Sequence, residues 1–301
     1  MLFLDFEDAW RIYLDAAARL PMRPAAVTPR RVSGVVEAVE RGGYRLVVFD
    51  AYGVLHTGGD AIPEALVAFA ELRRRGVAVC VVTNDVTHEP AHVAAGLARR
   101  GFDFAAAEVV SGRSLLPGIL GEHGDGRGFG IVGSHPEDMI ARFPALRALA
   151  DDPADYDAAA GFLFVDNNYW TEAHPALLED SLARRPRPLI VCNPDVGCPY
   201  LGRISAEPGY YAHRIAARTG IEPVFLGKPF PAVYRRVLGQ YPDVPPAAML
   251  MVGDSPHTDV LGARSVGMDC LLVECGFLFG RDVLADCAES GLWPQYVAVT
   301  P

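Results

Sequence analysis

The sequence predicts an α/β fold, in which a Rossmann-like, doubly wound parallel sheet carries a second, smaller α/β module inserted into it. From Arg45 onward, short apolar runs alternate with helical stretches, a pattern typical of parallel strands covered by helices. The middle of the chain shows the same alternation on its own. Because this stretch interrupts the first pattern, we interpret it as a separate module.

The strands of both parts are predicted from runs rich in aliphatic and β-branched residues. In the main sheet these runs are Leu46–Phe49, Val77–Val82, Val109–Val110, Ala247–Val252 and Cys270–Val273. In the inserted module the predicted strands are Phe129–Val132, Gly161–Val165 and Pro188–Cys192, and the predicted helices are Pro136–Phe143, Glu172–Arg184 and Tyr210–Thr219.

Three regions follow from this pattern. Residues 1–44 are predicted to form an N-terminal helical extension, with an amphipathic helix over Phe6–Leu20 and a short second helix, packed on the main domain. The main domain comprises residues 45–126 and 223–301, and the inserted module comprises residues 127–222.

The composition argues against nucleic acid and membrane as partners. The 301-residue chain has a formal charge of −10 spread along its length, and no sustained basic and aromatic stretch follows its short arginine clusters. No run approaches the roughly 20 apolar residues that span a bilayer. Charged residues at positions 5, 7, 8 and 11 interrupt the apolar run that an export signal requires, so we expect a cytoplasmic protein. The six cysteines form no CxxC pair and are expected to be reduced.

Polar residues follow three of the predicted strands at the point where each strand ends. Asp50 follows the first strand, Thr83 and Asn84 follow the second, and Asp254 follows the fourth. Ligands of open α/β sheets bind beyond the carboxyl ends of the strands. We therefore expect these side chains to converge although they lie far apart in the chain.

Asp50 has the chemistry of a nucleophile. A carboxylate at the end of a buried strand can attack phosphorus and form an aspartyl-phosphate, although a single aspartate there can also cap a turn. Thr83 and Asn84 precede a helix, whose first backbone N–H groups can hold phosphate oxygens. The same pair is also an ordinary helix start.

Lys228, Asp254 and Asp259 would supply charge to such a site. Lys228 lies between Gly227 and Pro229, which indicates a fixed loop with a directed ammonium group, the alternative being an ordinary solvated lysine. Asp254 and Asp259 lie on a predicted strand-to-helix loop. Carboxylates that face a bound phosphate favour Mg²⁺, a hard cation that prefers oxygen ligands.

The four segments that carry these residues resemble, in this order, the four sequence motifs of the haloacid dehalogenase superfamily. The segments are LVVFDAYGVLHTGG, VCVVTNDVTHEP, FLGKPFPAVYRRVL and MLMVGDSPHTDVLGARSVGM. The resemblance covers about Arg45 to Phe279. The stretches VCNPDVGCPY and PGYYAHRIAARTG are similar to the class IIA branch, in which an α/β cap lies between the second and third motifs, ends near an Asn-Pro-Asp turn and covers the site.

This resemblance implies a Mg²⁺-dependent hydrolase that acts on a small phosphorylated metabolite through an aspartyl-phosphate. Asp50 would be the nucleophile and a Mg²⁺ ligand. Thr83 and Asn84 would bind the transferred phosphoryl group, and Lys228 would neutralise charge on the nucleophile and on that group.

The resemblance also implies a metal site and a substrate contact. Asp254 and the backbone carbonyl of Tyr52 would bind Mg²⁺ directly, and Asp259 would support the metal site. Residues 193–195 match the Asn-Pro-Asp turn, and Asp195 is the candidate for substrate contact.

One position departs from the family pattern. Phosphatases of this superfamily have Asp-x-Asp in the first motif, whose second carboxylate protonates the leaving group and then activates water; here that position is Tyr52. Such proton transfer contributes about 10²- to 10⁴-fold in rate. A tyrosine, with an ordinary pKa of about 10, is a poor base at neutral pH, so hydrolysis of the aspartyl-phosphate is expected to be slow. His56 is the nearest replacement by sequence, with hydrogen bonding inside its own loop as the alternative.

Two other functions fit this departure. Asp-x-Tyr-Gly resembles the first motif of the 2-haloacid dehalogenases, which need no metal. A catalytically impaired protein that binds a phosphorylated ligand or a protein partner would also tolerate Tyr52. The acidic loop around Asp254 argues against the first alternative, and the retained Asp50 argues against the second.

The inserted module gives a hint about the substrate. Residues 166–170 are polar and aromatic and follow a predicted strand, so they could stack on a ring or bond hydroxyl groups. Such a loop can also pack on the module itself. This cluster and the resemblance to the class IIA branch together imply a sugar phosphate or a similar polyhydroxylated metabolite as the substrate. The oligomeric state is left open, with a homodimer as one option.

Overall fold

Residues 2–171, 173–200 and 203–301 are described by a computed structural model. Its strands are β1 (Phe3–Leu4), β2 (Arg30–Arg31), β3 (Leu46–Phe49), β4 (His56–Thr57), β5 (Asp60–Ala61), β6 (Ala78–Thr83), β7 (Val109–Ser111), β8 (Phe129–Val132), β9 (Arg147–Ala148), β10 (Gly161–Phe164), β11 (Leu189–Val191), β12 (Gly197–Tyr200), β13 (Arg203–Ala206), β14 (Val224–Phe225), β15 (Met249–Gly253), β16 (Asp269–Val273) and β17 (Tyr296–Ala298).

The helices begin mainly at residues suited to a first helical turn. They are α1 (Phe6–Asp15), α2 (Val35–Gly42), α3 (Pro63–Arg74), α4 (Pro90–Arg99), α5 (Leu116–Glu122), α6 (Pro136–Arg142), α7 (Pro153–Ala158), α8 (His174–Arg184), α9 (Pro208–Thr219), α10 (Pro231–Gln240), α11 (Leu261–Ser265) and α12 (Val283–Ser290). Six of these start at a proline, whose fixed φ and missing N–H suit that position. Within the described residues, no helix combines the length and the apolar character needed to cross a bilayer.

The chain folds as two compact units. The core unit comprises residues 17–83, 88–111 and 228–301, and the insert unit comprises residues 1–16, 84–87 and 112–227. This division differs from the predicted one. The first 16 residues group with the inserted module, and residues 17–44 group with the main domain. Residues 84–87, 112–126 and 223–227, which were predicted in the main domain, group with the inserted module. The reason is that contacts between residues distant in sequence define a unit, and a pattern of strands and helices does not report them.

The core unit contains a seven-stranded sheet in the order β2-β17-β16-β15-β3-β6-β7, in which every neighbouring pair is parallel. After β3, the chain adds β6 and then β7 on one side of β3. It later adds β15, β16 and β17 on the other side. The direction of strand addition thus reverses next to β3. Such a switch point is where ligands of open α/β sheets bind. The predicted α/β fold class is confirmed.

The central strands form because they are apolar on both faces. Every residue of β3 and of β15 is buried. Their side chains join those of α2 and α3 in one hydrophobic cluster that includes Val47, Phe69 and Val252. A continuous apolar run is the signature of a strand covered on both sides, which is why these strands were visible in the sequence.

The insert unit has its own five-stranded parallel sheet, in the order β14-β11-β10-β8-β9. The three strands predicted there correspond to β8, β10 and β11, and agree within one residue at each end. Five further strands among the described residues of this unit were not predicted. β9 and β14 lie at the two edges of this sheet, and β1, β12 and β13 form an antiparallel sheet in the order β1-β13-β12. Glu172, the predicted first residue of a helix, lies outside the described residues.

The N-terminal helix is shorter than predicted. α1 ends at Asp15, and a 3₁₀ turn over Ala16–Arg19 takes the place of the last predicted helical residues. Both elements together nearly fill the predicted range Phe6–Leu20. The change of helix type coincides with the passage of the chain from the insert unit to the core unit.

Candidate functional site

The candidate site lies in the core unit, where β3 and β15 end. The N–H of Asp50 donates to the carbonyl of Val252 at 2.9 Å, which extends the β3–β15 ladder by one residue. Oδ1 of Asp50 accepts a hydrogen bond from the N–H of Ala51 at 2.7 Å, and the residue is 8% exposed. The predicted nucleophile is thereby held in a defined orientation next to the switch point.

Lys228 lies against this carboxylate. Its Nζ is 2.5 Å from Oδ1 of Asp50 and 2.7 Å from Oδ1 of Asp259. Only 2% of Lys228 is exposed. A buried ammonium group loses its hydration and is tolerated when carboxylates compensate its charge. The structure therefore brings together three residues that are up to 209 positions apart in the sequence.

Asp259 organises the loop that follows β15. Its Oδ2 accepts hydrogen bonds from the N–H groups of Asp254 and Ser255, both at 3.1 Å, and its side chain is fully buried. The loop then enters a π-helical turn, Pro256–Val260, that leads into α11. These bonds fix the loop that carries the Asp254 carboxylate.

Three carboxylates and one ammonium group leave the site with excess negative charge. One oxygen each of Asp50, Asp254 and Asp259 lies within 4.8 Å of the others. Burial raises the pKa of the Asp254 carboxyl group well above its usual range, and the two neighbouring carboxylates raise it further. A divalent cation relieves such repulsion, and hard cations such as Mg²⁺ prefer oxygen ligands. The donor set therefore fits a divalent metal ion.

Two glycines make room for the Asp254 carboxylate, and sequence analysis did not identify either of them. A Cβ atom at Gly53 or at Gly276 would overlap this carboxylate. Gly53 also has a φ of 82°, a conformation that favours glycine. The N–H of Phe277 donates to Oδ2 of Asp254 at 2.7 Å. The sequence feature that could have identified them is a glycine shortly after β3 and another shortly after β16.

We expect Gly53→Ala to lower the free energy of unfolding by more than about 2 kcal/mol, because alanine would need an unfavourable φ and its methyl group would overlap Asp254. Urea unfolding followed by circular dichroism measures this change. Gly59→Ala is the matched control, since no atom lies within 4 Å of the position of its added Cβ. Equal stability of the two variants would contradict this explanation.

Tyr52, at the position of the missing carboxylate, lies at the base of the hairpin formed by β4 and β5. It forms a backbone bridge with His56, and the two rings meet edge to face with centroids 5.6 Å apart. Arg100 donates to the carbonyls of Gly58 and Gly59, at 2.6 and 3.1 Å, and so holds the hairpin tip. Tyr52 and His56, the two residues considered for proton transfer, are thus direct neighbours at the base of this hairpin.

The predicted phosphoryl-binding and substrate-binding residues belong to different units. Thr83 ends β6 in the core unit and is 2% exposed. Asn84 belongs to the insert unit, where its Nδ2 donates to Oδ1 of Asp195 at 2.7 Å. The N–H of Asp195 in turn donates to Oδ1 of Asn193 at 3.0 Å, which closes the Asn-Pro-Asp turn. Asn84 and Asp195 are therefore direct partners although 111 positions separate them.

The polar and aromatic residues 166–170 are largely used inside the insert unit. Asp166 accepts a hydrogen bond from the N–H of Ser134 at 3.1 Å. The ring of Trp170 stacks on Phe164, with centroids 4.9 Å apart, and is 5% exposed. Trp170 thus packs on the module, as the alternative interpretation expected, whereas Tyr169 is 39% exposed.

The family model of the haloacid dehalogenase-like hydrolases matches residues 47–142, and a second model of HAD-hydrolase-like proteins matches residues 225–299. Together they cover more than half of the chain. The acid sugar phosphatase of Staphylococcus aureus (strain USA300) is 24% identical over 253 residues, which cover 84% of this chain and 93% of that protein.

Solved structures share the fold. A possible sugar phosphatase of the HAD superfamily from Cytophaga hutchinsonii has a TM-score of 0.77 at 21% identity, covering 90% of this chain and 98% of that one. The glycerol phosphate phosphatase from Mycobacterium tuberculosis, in complex with magnesium, has a TM-score of 0.68 at 23% identity, covering 86% and 76%. With its four motifs and both family models matched, this chain belongs to the haloacid dehalogenase-like hydrolases, in the class IIA branch predicted from its sequence.

Proposed function

We propose that this chain is a Mg²⁺-dependent phosphatase that hydrolyses a small phosphorylated metabolite, with a sugar phosphate as the best-supported class. The observation that carries the proposal is the buried group of Asp50, Asp254 and Asp259 around Lys228. This arrangement of charges suits a site that binds a metal ion and a phosphoryl group together. The relatives named acid sugar phosphatase and glycerol phosphate phosphatase support the same reaction.

The proposed reaction consists of two displacements. In the first, a carboxylate oxygen of Asp50 forms a bond to phosphorus, the bond to the leaving oxygen breaks, and the departing alcohol takes the proton of the Tyr52 hydroxyl. In the second, water attacks the aspartyl-phosphate, which releases phosphate, returns the Asp50 carboxylate and gives up a proton to solvent. Dividing one difficult displacement into two makes each of them easier.

Charge in the site would be shared between protein groups and the cation. Bound Mg²⁺ would neutralise and orient the phosphoryl oxygens. Asp50, Asp254 and the backbone carbonyl of Tyr52 would hold it, while Asp259 keeps the loop in place through its two N–H partners. Lys228 would offset the charge of the Asp50 carboxylate before the attack and that of the phosphoryl group during it.

Recognition of the substrate would fall to the residues that end β6 and to the Asn-Pro-Asp turn. Thr83 and Asn84 are proposed to bind the phosphoryl oxygens, with Thr83 at the end of a strand adjacent to β3. Asp195, which accepts a hydrogen bond from Asn84, is proposed to contact the rest of the substrate.

We expect Tyr52→Asp to raise the rate of phosphate release by about 10²-fold. The phenolate formed in the first displacement regains a proton from solvent at neutral pH, so the tyrosine is a poor base for the second, whereas a carboxylate can activate water. Phosphate release from a panel of sugar phosphates, glycerol phosphates and p-nitrophenyl phosphate, with Mg²⁺ or with a chelator, measures this for the native protein and the variant.

Tyr52→Phe is the matched control, because it keeps the ring and removes only the hydroxyl group; its release rate should fall below that of the native protein. Mg²⁺-dependent release by the native protein supports the proposal. If neither the native protein nor Tyr52→Asp releases phosphate from any substrate of the panel, the proposal is contradicted.

A second function is favoured by one observation, the tyrosine at position 52. Release by Tyr52→Asp alone would indicate that the native chain binds a phosphorylated ligand without turning it over. Halide release without Mg²⁺ would instead favour a 2-haloacid dehalogenase, although the three clustered carboxylates argue against a reaction without metal.

A further inference from the structure

The N-terminal segment, residues 2–16, is part of the insert unit rather than a separate extension. β1 pairs antiparallel with β13, and α1 packs against α9. The buried face of α1 consists of Ala9, Trp10 and Tyr13. The segment precedes residue 47, where the first family model begins to match, so the motifs of the family do not account for it.

Tyr13 connects this segment to the Asn-Pro-Asp turn. The N–H of Val196 donates a hydrogen bond to its Oη at 3.0 Å, and Tyr13 is 2% exposed. Val196 directly follows Asp195 and is fully buried. A buried amide needs a partner inside the protein, and here the Tyr13 hydroxyl is that partner.

Asn84 also contacts this turn. The hydrogen bond from Nδ2 of Asn84 to Oδ1 of Asp195, at 2.7 Å, fixes the carboxylate itself. Gly209 lies so close to the turn that a Cβ atom there would overlap the carbonyl groups of Pro194 and Asp195. The position of the Asp195 carboxylate therefore depends on close packing and on the hydrogen bonds formed by Asp195 and by Val196.

We propose that Tyr13 is a positioning residue for substrate recognition. By holding the N–H of Val196, it fixes the Asp195 carboxylate and, through it, the amide of Asn84. The inference rests on the proposed function, in which Asp195 and Asn84 contact the phosphorylated substrate. The N-terminal segment then sets the apparent affinity for the substrate without touching the reacting atoms, because small displacements of positioning groups are costly.

Tyr13→Phe tests this inference. For the substrate with the fastest release in the panel, the variant is expected to raise KM about tenfold and to change kcat by less than about twofold, because the lost interaction affects binding rather than the reacting bonds. Tyr156→Phe is the matched control: Tyr156 is a fully buried tyrosine of α7 in the same unit. Of these two variants, only Tyr13→Phe should raise KM.

The Asp195→Ala background separates positioning from general stability. There, Tyr13→Phe should leave KM unchanged, because the group that it positions is absent. A native KM in Tyr13→Phe, or a full tenfold effect added to that of Asp195→Ala, would overturn the inference and leave the proposed phosphatase function intact. A native protein that releases no phosphate from any substrate would overturn both.

Discussion

Asp50→Asn is expected to lower phosphate release by at least about 10³-fold, because the amide is nearly isosteric with the carboxylate but is not a nucleophile. The amide oxygen can still accept the hydrogen bond from the N–H of Ala51, so the local fold should persist. Single-turnover measurements of phosphate release, together with thermal unfolding, distinguish loss of chemistry from loss of structure.

Asp60→Asn is the control for this variant. Asp60 is an exposed aspartate of β5 in the same unit, and its replacement should leave the release rate unchanged. Native turnover by Asp50→Asn would show that another group attacks the substrate, and the assignment of the nucleophile would then be wrong.

The second large effect is expected for Asp254→Asn, which should weaken Mg²⁺ binding by at least about 10²-fold. The substitution replaces a charged oxygen ligand by a neutral amide, and hard cations depend on carboxylate ligands for affinity. Isothermal titration calorimetry of the metal-free protein with Mg²⁺ measures this directly and needs no substrate. Unchanged affinity would show that the metal ion binds elsewhere.

Asp254→Asn should also change how the melting temperature of the protein responds to Mg²⁺. Without metal, burial and the charges of Asp50 and Asp259 all oppose ionisation of Asp254. Asp254→Asn in a chelator should therefore melt at the same temperature as the native protein or at a higher one. Mg²⁺ should raise the melting temperature of the native protein, since it binds the folded state, and leave that of the variant nearly unchanged. Asp243→Asn, at an exposed loop position, should respond to Mg²⁺ like the native protein.

The sequence by itself determined the parallel sheet and the edge of that sheet at which the candidate catalytic side chains lie. β3, β6 and β15 are continuous apolar runs, and such runs depend on local composition alone. Residues directly after parallel strands must meet at one edge of a sheet, so the approach of Asp50 to Asp254 followed from the pattern. Recognition of the four motifs added the expected partners of these two residues.

Tertiary structure alone decided how distant side chains fit together. β1 has two residues, too few for an alternating pattern, so its pairing with β13 was not visible in the sequence. The hydrogen bond between Tyr13 and Val196, next to the Asn-Pro-Asp turn, was not visible either. The close approach of Gly53 to Asp254, and the hydrogen bond between Asn84 and Asp195, likewise depend on residues more than 100 positions apart. Periodicity encodes which face of an element is buried, whereas the partner on that face is set by packing in three dimensions.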